Sequence, residues 1–126
     1  MSHQRKFIVI GGLLALTAVL LGAFGAHALE SRLDANGTRA VWKTAVDYQM
    51  WHALALLILA NYKFAGRAYR ISLGCFCLGI PLFSGSLYWL ALDGPRWLGP
   101  ITPLGGLLFI VGWSACIIAA LKMRNE

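Results

Sequence analysis

The sequence predicts an all-α fold: a bundle of four transmembrane helices with both termini cytoplasmic. Three observations lead there. Of the 126 residues, 59% are hydrophobic and only 13% charged, outside the range of soluble globular domains. The apolar residues gather into runs long enough to cross a bilayer. The basic residues behind the net charge of +6 sit in short clusters between those runs rather than along one stripe. That pattern encodes membrane topology and sets nucleic-acid binding aside.

The whole chain, 1–126, reads as a single integral membrane domain. Its first span, 7–29, contains no Asp, Glu, Lys or Arg, and as a helix it reaches about 34 Å across a hydrocarbon core of about 30 Å. Ala26-His27-Ala28 imitates a signal-peptidase site, but the apolar run is longer than a signal core, so a retained helix is expected. Residues 30–48 are polar. Asn36-Gly37 reads as a turn and Thr38 as the N-cap of an extramembrane helical segment, 38–48, on which Lys43 and Asp47 pair four apart. This segment continues into the second span, 46–64, whose apolar core from Met50 to Ala60 carries His52 and is too short to span alone. The third span, 71–92, contains Pro81, whose missing N–H predicts a kink. After the turn at Asp93-Gly94-Pro95-Arg96, Thr102 reads as an N-cap with Pro103 at the first helical position, opening the fourth span, 102–121.

Charge sets the expected orientation. Arg5, Lys6, Lys63, Arg67, Arg70, Lys122 and Arg124 fall on one side of the four spans; Arg32, Arg39, Lys43 and Arg96 fall on the other. The richer side is cytoplasmic by the positive-inside rule, so both ends are expected inside. Trp42, Trp51, Trp89 and Trp97, with Tyr48 and Tyr88, lie towards the outer ends as an aromatic belt.

Packing between helices in lipid relies on small residues. Gly11, Ala15, Ala18, Gly22 and Gly25 are spaced 4, 3, 4 and 3, a 3.5-residue repeat that keeps one stripe against a partner. Gly105 and Gly112, with Ala115 and Ala119, give the last helix a similar stripe. Cys75 and Cys77, two apart, point to nearly opposite sides of a helix and cannot share a metal, so they and Cys116 read as small packing residues.

Polar side chains inside a bilayer are expensive and often functional. Measured along ideal helices from the basic boundary, His52, Ser84, Tyr88 and Thr102 fall in the outer half and His27 at the outer interface. Tyr48 and His52 share a helix face, as do Ser84 and Tyr88, so these four define a candidate ligand pocket open to the outside, with His27 and Thr102 near its rim. The alternative is that they satisfy one another and line nothing. His27 and His52 differ in depth by about 10–15 Å, which disfavours a haem or metal between them. No HExxH, nucleophile elbow or carboxylate pair is present, so no catalytic residue, metal or cofactor is expected.

Five ordered motif regions add a resemblance. Gly22-Ala23-Phe24-Gly25-Ala26-His27, Trp42-Lys43-Thr44-Ala45, Tyr48-Gln49-Met50 with His52-Ala53-Leu54-Ala55, Phe83-Ser84-Gly85-Ser86-Leu87-Tyr88 and Ile101-Thr102-Pro103-Leu104-Gly105-Gly106 resemble the YgdD-like family of small inner-membrane proteins. The resemblance covers nearly the whole chain and implies a multi-pass inner-membrane protein of unassigned activity. It brings no site residues with it.

Two functions fit these readings. In the first, the chain is a structural or accessory bundle that packs in the bilayer against copies of itself or a larger membrane complex through its glycine stripes. In the second, it is a binding protein or small transporter whose outer-half pocket takes a small or lipophilic ligand such as a quinone.

Overall fold

The computed structural model describes residues 1–63 and 65–123. Phe64, the end of the predicted second span, and Arg124, one of the charges expected on the cytoplasmic side, lie outside the described residues. Six α-helices account for most of the described chain: α1 His3–Ala26, α2 Glu30–Asn36, α3 Arg39–Asn61, α4 Arg67–Ile80, α5 Ser86–Ala91 and α6 Ile101–Leu121. A π-helical turn, Pro81–Gly85, joins α4 to α5, and a short 3₁₀ turn, Arg96–Leu98, precedes α6. No strand occurs among the described residues.

Three helical stretches are long and apolar enough to cross a membrane: His3–Ala26, Arg67–Ala91 and Arg96–Leu121, with mean hydropathies of 2.5, 1.6 and 2.3. The sequence predicts four. The exception is α3, which is long enough but carries Lys43, Asp47, Gln49, His52 and Asn61. It forgoes uniform apolarity because it is the central helix: Trp42, Ala45, Gln49, His52, Ala53, Ala55, Leu56, Leu59 and Ala60 are all buried against neighbours rather than facing lipid.

Successive long helices run antiparallel, and the glycine stripe of α1 is the first seam. A Cβ at Gly11 would lie 3.0 Å from Leu57 Cγ and 3.1 Å from the Ala53 carbonyl, one at Gly22 would lie 3.3 Å from Val46, and one at Gly25 would collide with the Trp42 indole. Ala18 is fully buried on the same stripe and Ala15 half-buried. From Gly11 to Gly25, α1 therefore descends as α3 rises. Between α3 and the next helix, the Ser84 hydroxyl donates to the Ala45 carbonyl at 2.7 Å and the Tyr69 hydroxyl to the Leu59 carbonyl at 3.0 Å. The last seam is built the same way: Gly112 receives the Phe76 ring, Gly105 receives the Phe83 backbone, and Gly79 on α4 receives Phe109. Each glycine here is a socket for a ring or a main chain, which is how small residues bind helices in lipid.

The kink expected at Pro81 takes the form of the π-helical turn that begins there. Proline cannot close the helical bond to Cys77, and the chain accommodates one extra residue in the following turn. Other local expectations differ from the structure in detail. The first helix ends at Ala26, and His27 terminates it with its N–H on the Ala23 and Phe24 carbonyls. Thr38 precedes α3 but makes no side-chain cap; its hydroxyl donates to the Ala91 carbonyl at 2.7 Å. Thr102 lies inside α6, whose first residue is Ile101, so it is not the N-cap either.

Candidate functional site

A cap closes one end of the molecule. After Ala26 the chain turns into α2, ends it at Gly37 in the left-handed conformation (φ 67°), and enters α3. Leu33, Trp42 and Ala91 form a small buried core there, packed by Leu21, Leu29, Val41, Val46, Tyr88 and Leu92. The Trp42 indole donates to the Leu21 carbonyl at 2.8 Å. Arg32, Asn36 and Thr38 donate to the Leu92 and Ala91 carbonyls at the end of α5, supplying partners that a helix C-terminus lacks. Arg39 bonds Asp34 at 2.6 Å and Glu30 at 2.9 Å, which holds its guanidinium above the ordinary range of an already strong base. The predicted Lys43–Asp47 pair is present at 2.7 Å. These ion pairs are exposed and contribute little to stability.

Inside the bundle, polar side chains tie helix to helix. Gln49, buried in the middle of α3, donates to the Leu14 carbonyl at 2.9 Å and the Thr17 hydroxyl at 2.8 Å and accepts from the Tyr88 hydroxyl at 2.8 Å. One amide thus links α1, α3 and α5. Ser72 donates to the Gly112 carbonyl at 2.8 Å, and the Ser86 and Thr102 hydroxyls are 2.6 Å apart. Among the described residues, no buried side-chain nitrogen or oxygen lacks a partner.

His52 is held by two such bonds. Its Nδ1 lies 2.7 Å from the Tyr48 carbonyl, which can only accept, so Nδ1 carries the proton. Nε2 is then free to accept from the Trp113 indole N–H at 3.0 Å. The imidazole is 3% exposed and stacks on Phe109 with ring centroids 3.6 Å apart and planes 9° from parallel. Both nitrogens of a neutral histidine are occupied, which removes it as a free base or metal ligand in this conformation.

Around this stack lies an open groove of about 610 Å³ between α3 and α6. Tyr48, Trp51 and His52 form one wall; Pro103, Gly106, Leu107, Phe109, Ile110 and Trp113 form the other; Phe83 from the π-helical turn lies between them. Tyr48 packs against Trp51 and Phe83 with centroids 4.8 and 4.6 Å apart. Backbones of α3 and α6 do not meet closely here, so ring side chains fill the interval, and the lining is predominantly apolar and aromatic.

The candidate pocket from the sequence is therefore brought together in part. Tyr48 and His52 line the groove; Ser84 and Tyr88 do not, being turned inward to Ala45 and Gln49. Ser84 and Tyr88 do share a face, but it is the one packed on the buried side of α3 at Ala45 and Gln49 rather than the one that meets the groove. Thr102 is spent on Ser86. His27 lies at an exposed recess with Leu20, Ala23, Phe24 and Ala28. It follows Gly25, which packs opposite Trp42, ten residues before His52 on α3, so the two histidines are separated by about 15 Å along the bundle. Gln49, Phe83, Phe109 and Trp113 are site residues that sequence reasoning misses. Gln49 carries a signal, an amide inside an apolar run; the three rings look like any other membrane aromatics until the helices are placed.

Comparison with known proteins adds the lineage. The family model described as protein of unknown function (DUF423) matches residues 21–106, a stretch containing all five motif regions quoted above. A UPF0382 membrane protein of Staphylococcus epidermidis is 45% identical over 97% of this chain and 100% of its own. The UPF0382 membrane protein YwdK of Bacillus subtilis is 45% identical over 94% of this chain and 98% of its own. A third, from Haemophilus influenzae, is 36% identical over 97% and 98%. No solved structure matches. The motifs' expectation of a membrane-protein family without an assigned activity is met at that level, and the chain belongs to the DUF423 family, the UPF0382 membrane proteins.

Proposed function

We propose that this is a four-pass inner-membrane protein, both termini cytoplasmic, that holds a flat lipophilic molecule of quinone type in the groove between α3 and α6. Four passes are supported by the pairing of α1 with α3 from Gly11 to Gly25: a helix lying antiparallel along a spanning partner crosses the same layer. The positive-inside count then faces both ends inward. The α3–α6 groove is the observation that carries the binding role. Its walls are rings, its rim continues into the lipid-facing Trp51, Leu107 and Ile110, and its lining includes two donors with no described protein partner, the Tyr48 hydroxyl and the Trp51 indole N–H. A planar ring with carbonyl acceptors matches that chemistry, and it enters sideways from the bilayer.

The test is a titration of the purified protein with a short-chain quinone, read by quenching of tryptophan fluorescence. Gly106 lines the groove, and a Cβ placed there would have ordinary space, with Phe83 carbons at 3.7 and 3.8 Å, so Gly106→Phe plugs the groove from its edge. Saturable quenching lost in Gly106→Phe, with an unchanged melt, supports the reading. Quenching that rises linearly and equally in both proteins sinks it.

The accessory-bundle reading draws on a different observation, the complete internal satisfaction of the buried polar groups among the described residues. The glycine stripes no longer favour it, since those glycines are occupied within the chain.

A further inference from the structure

Charge is divided sharply along the molecule. Every described carboxylate side chain, on Glu30, Asp34, Asp47 and Asp93, belongs to the half that holds the α2 cap, and three of them are paired there. At the other end α4 begins with Arg67 and Arg70, three apart on one face and both exposed. Neither is within ion-pair distance of any described carboxylate. Together with Ile71 they line an open recess of about 470 Å³. The amino end of the chain joins this end, since the His3 and Tyr69 rings lie 6.4 Å apart, and it brings Arg5 and Lys6.

The recess has the parts of a phosphate site that opens onto lipid. Two guanidiniums offer paired donors in the fork geometry suited to phosphate oxygens. The first N–H groups of α4, which follow Gly66 without a side-chain cap, add positive potential at the same place. Ile71, 42% exposed, continues the recess onto the apolar face of a helix long enough to span, so an anion bound here sits at headgroup level with apolar surface directly beneath it. A free anion has no use for that surface, whereas a phospholipid fills both parts.

We propose that Arg67, Arg70 and Ile71 form a binding site for an anionic phospholipid, the arginines holding the phosphodiester and Ile71 the start of an acyl chain. This site is independent of the aromatic groove. Native mass spectrometry of the full chain with dioctanoyl-phosphatidylglycerol tests it, with dioctanoyl-phosphatidylcholine and inorganic phosphate as comparison probes. Bound phosphatidylglycerol is expected at concentrations where phosphatidylcholine is scarcely retained. Each basic group near an anionic headgroup is worth about a factor of five, so Arg67→Gln with Arg70→Gln should weaken binding about 30-fold. Arg67→Lys with Arg70→Lys, which keeps the charge but not the fork, should recover only part of it, and Arg5→Gln with Lys6→Gln should change it far less than the arginine pair does.

Equal retention of the two lipids overturns the proposal, as does an unchanged affinity in the double glutamine variant. Displacement of the lipid by inorganic phosphate at equal concentration also overturns it, by showing a site for a free anion. If the glutamine pair lowers the melting temperature, the wild-type chain decides the matter: phosphatidylglycerol binding that survives molar salt excludes the arginines as its holders.

Discussion

The Trp113 indole donates to His52 Nε2 at 3.0 Å, joining residues 61 positions apart in the chain across the interval between α6 and α3. The same imidazole lies flat on Phe109. Stack and hydrogen bond make separable contributions. His52→Ala should cost about 2–5 kcal/mol, because it empties a fully packed site. Trp113→Phe keeps one ring at a half-exposed position and loses the donor with the rest of the indole, so a smaller loss of about 1–2 kcal/mol is expected. Reversible unfolding in mixed micelles measures both, and equal losses would contradict the primacy of the stack.

Gln49 makes three interhelical bonds. At the modest strength such bonds have in membranes, Gln49→Leu should cost about 2 kcal/mol in total. Tyr88→Phe should be partly redundant with it, and a double-mutant cycle between the two should return a coupling of about 0.6 kcal/mol. Strict additivity would mean that the Tyr88 hydroxyl finds another partner.

Two glycine positions on α1 should behave oppositely. A Cβ at Gly25 collides with the Trp42 indole, which is itself fixed on the Leu21 carbonyl, so Gly25→Ala should destabilise by about 1–3 kcal/mol. A Cβ added at Gly12 would meet nothing within 4 Å, and Gly12→Ala should be neutral or stabilising by up to about 1 kcal/mol. Thermal melts of the pair decide whether the stripe is a seam or merely a composition.

Removing one residue from the π-helical turn should restore ordinary winding without moving the flanking helices. Deletion of Leu82 is therefore expected to leave a folded, monodisperse protein. Deletion of Leu78, within regular α4, rotates everything after it by about 100° and should not. Size-exclusion profiles in detergent distinguish the two, and failure of both would show that Pro81–Gly85 needs its extra residue.

Much of the scaffold is readable because lipid imposes few options. Long apolar runs must be helical, and small residues repeated at 3.5 mark their seams, so the Gly11–Gly25 stripe names its own contact face. The kink at Pro81 follows from one missing N–H. The winding of that kink does not, and spacing alone leaves open which neighbour a face meets: Ser84 and Tyr88 share a face as expected, yet it turns to Ala45 and Gln49 rather than to the groove of Tyr48 and His52. Three helices rather than the expected four are apolar enough to cross a membrane, and α3 is the exception for a related reason. A helix shielded by its neighbours answers to their side chains rather than to lipid, and hydropathy has no knowledge of neighbours. The partner of His52 lies furthest from view, since nothing in the chemistry of Trp113 distinguishes it from a belt residue until α6 is set beside α3.

The inward orientation of the glycines leaves the outer flanks to branched and long side chains. Leu13, Leu16 and Leu20 on α1 and Leu104, Ile117 and Leu121 on α6 stand exposed. To the surrounding acyl tails such a flank looks much like more hydrocarbon, and another helix gains little by displacing them. Crowding of these molecules in the plane of the bilayer should therefore respond to its thickness and lipid composition more than to any lock-and-key fit between their sides.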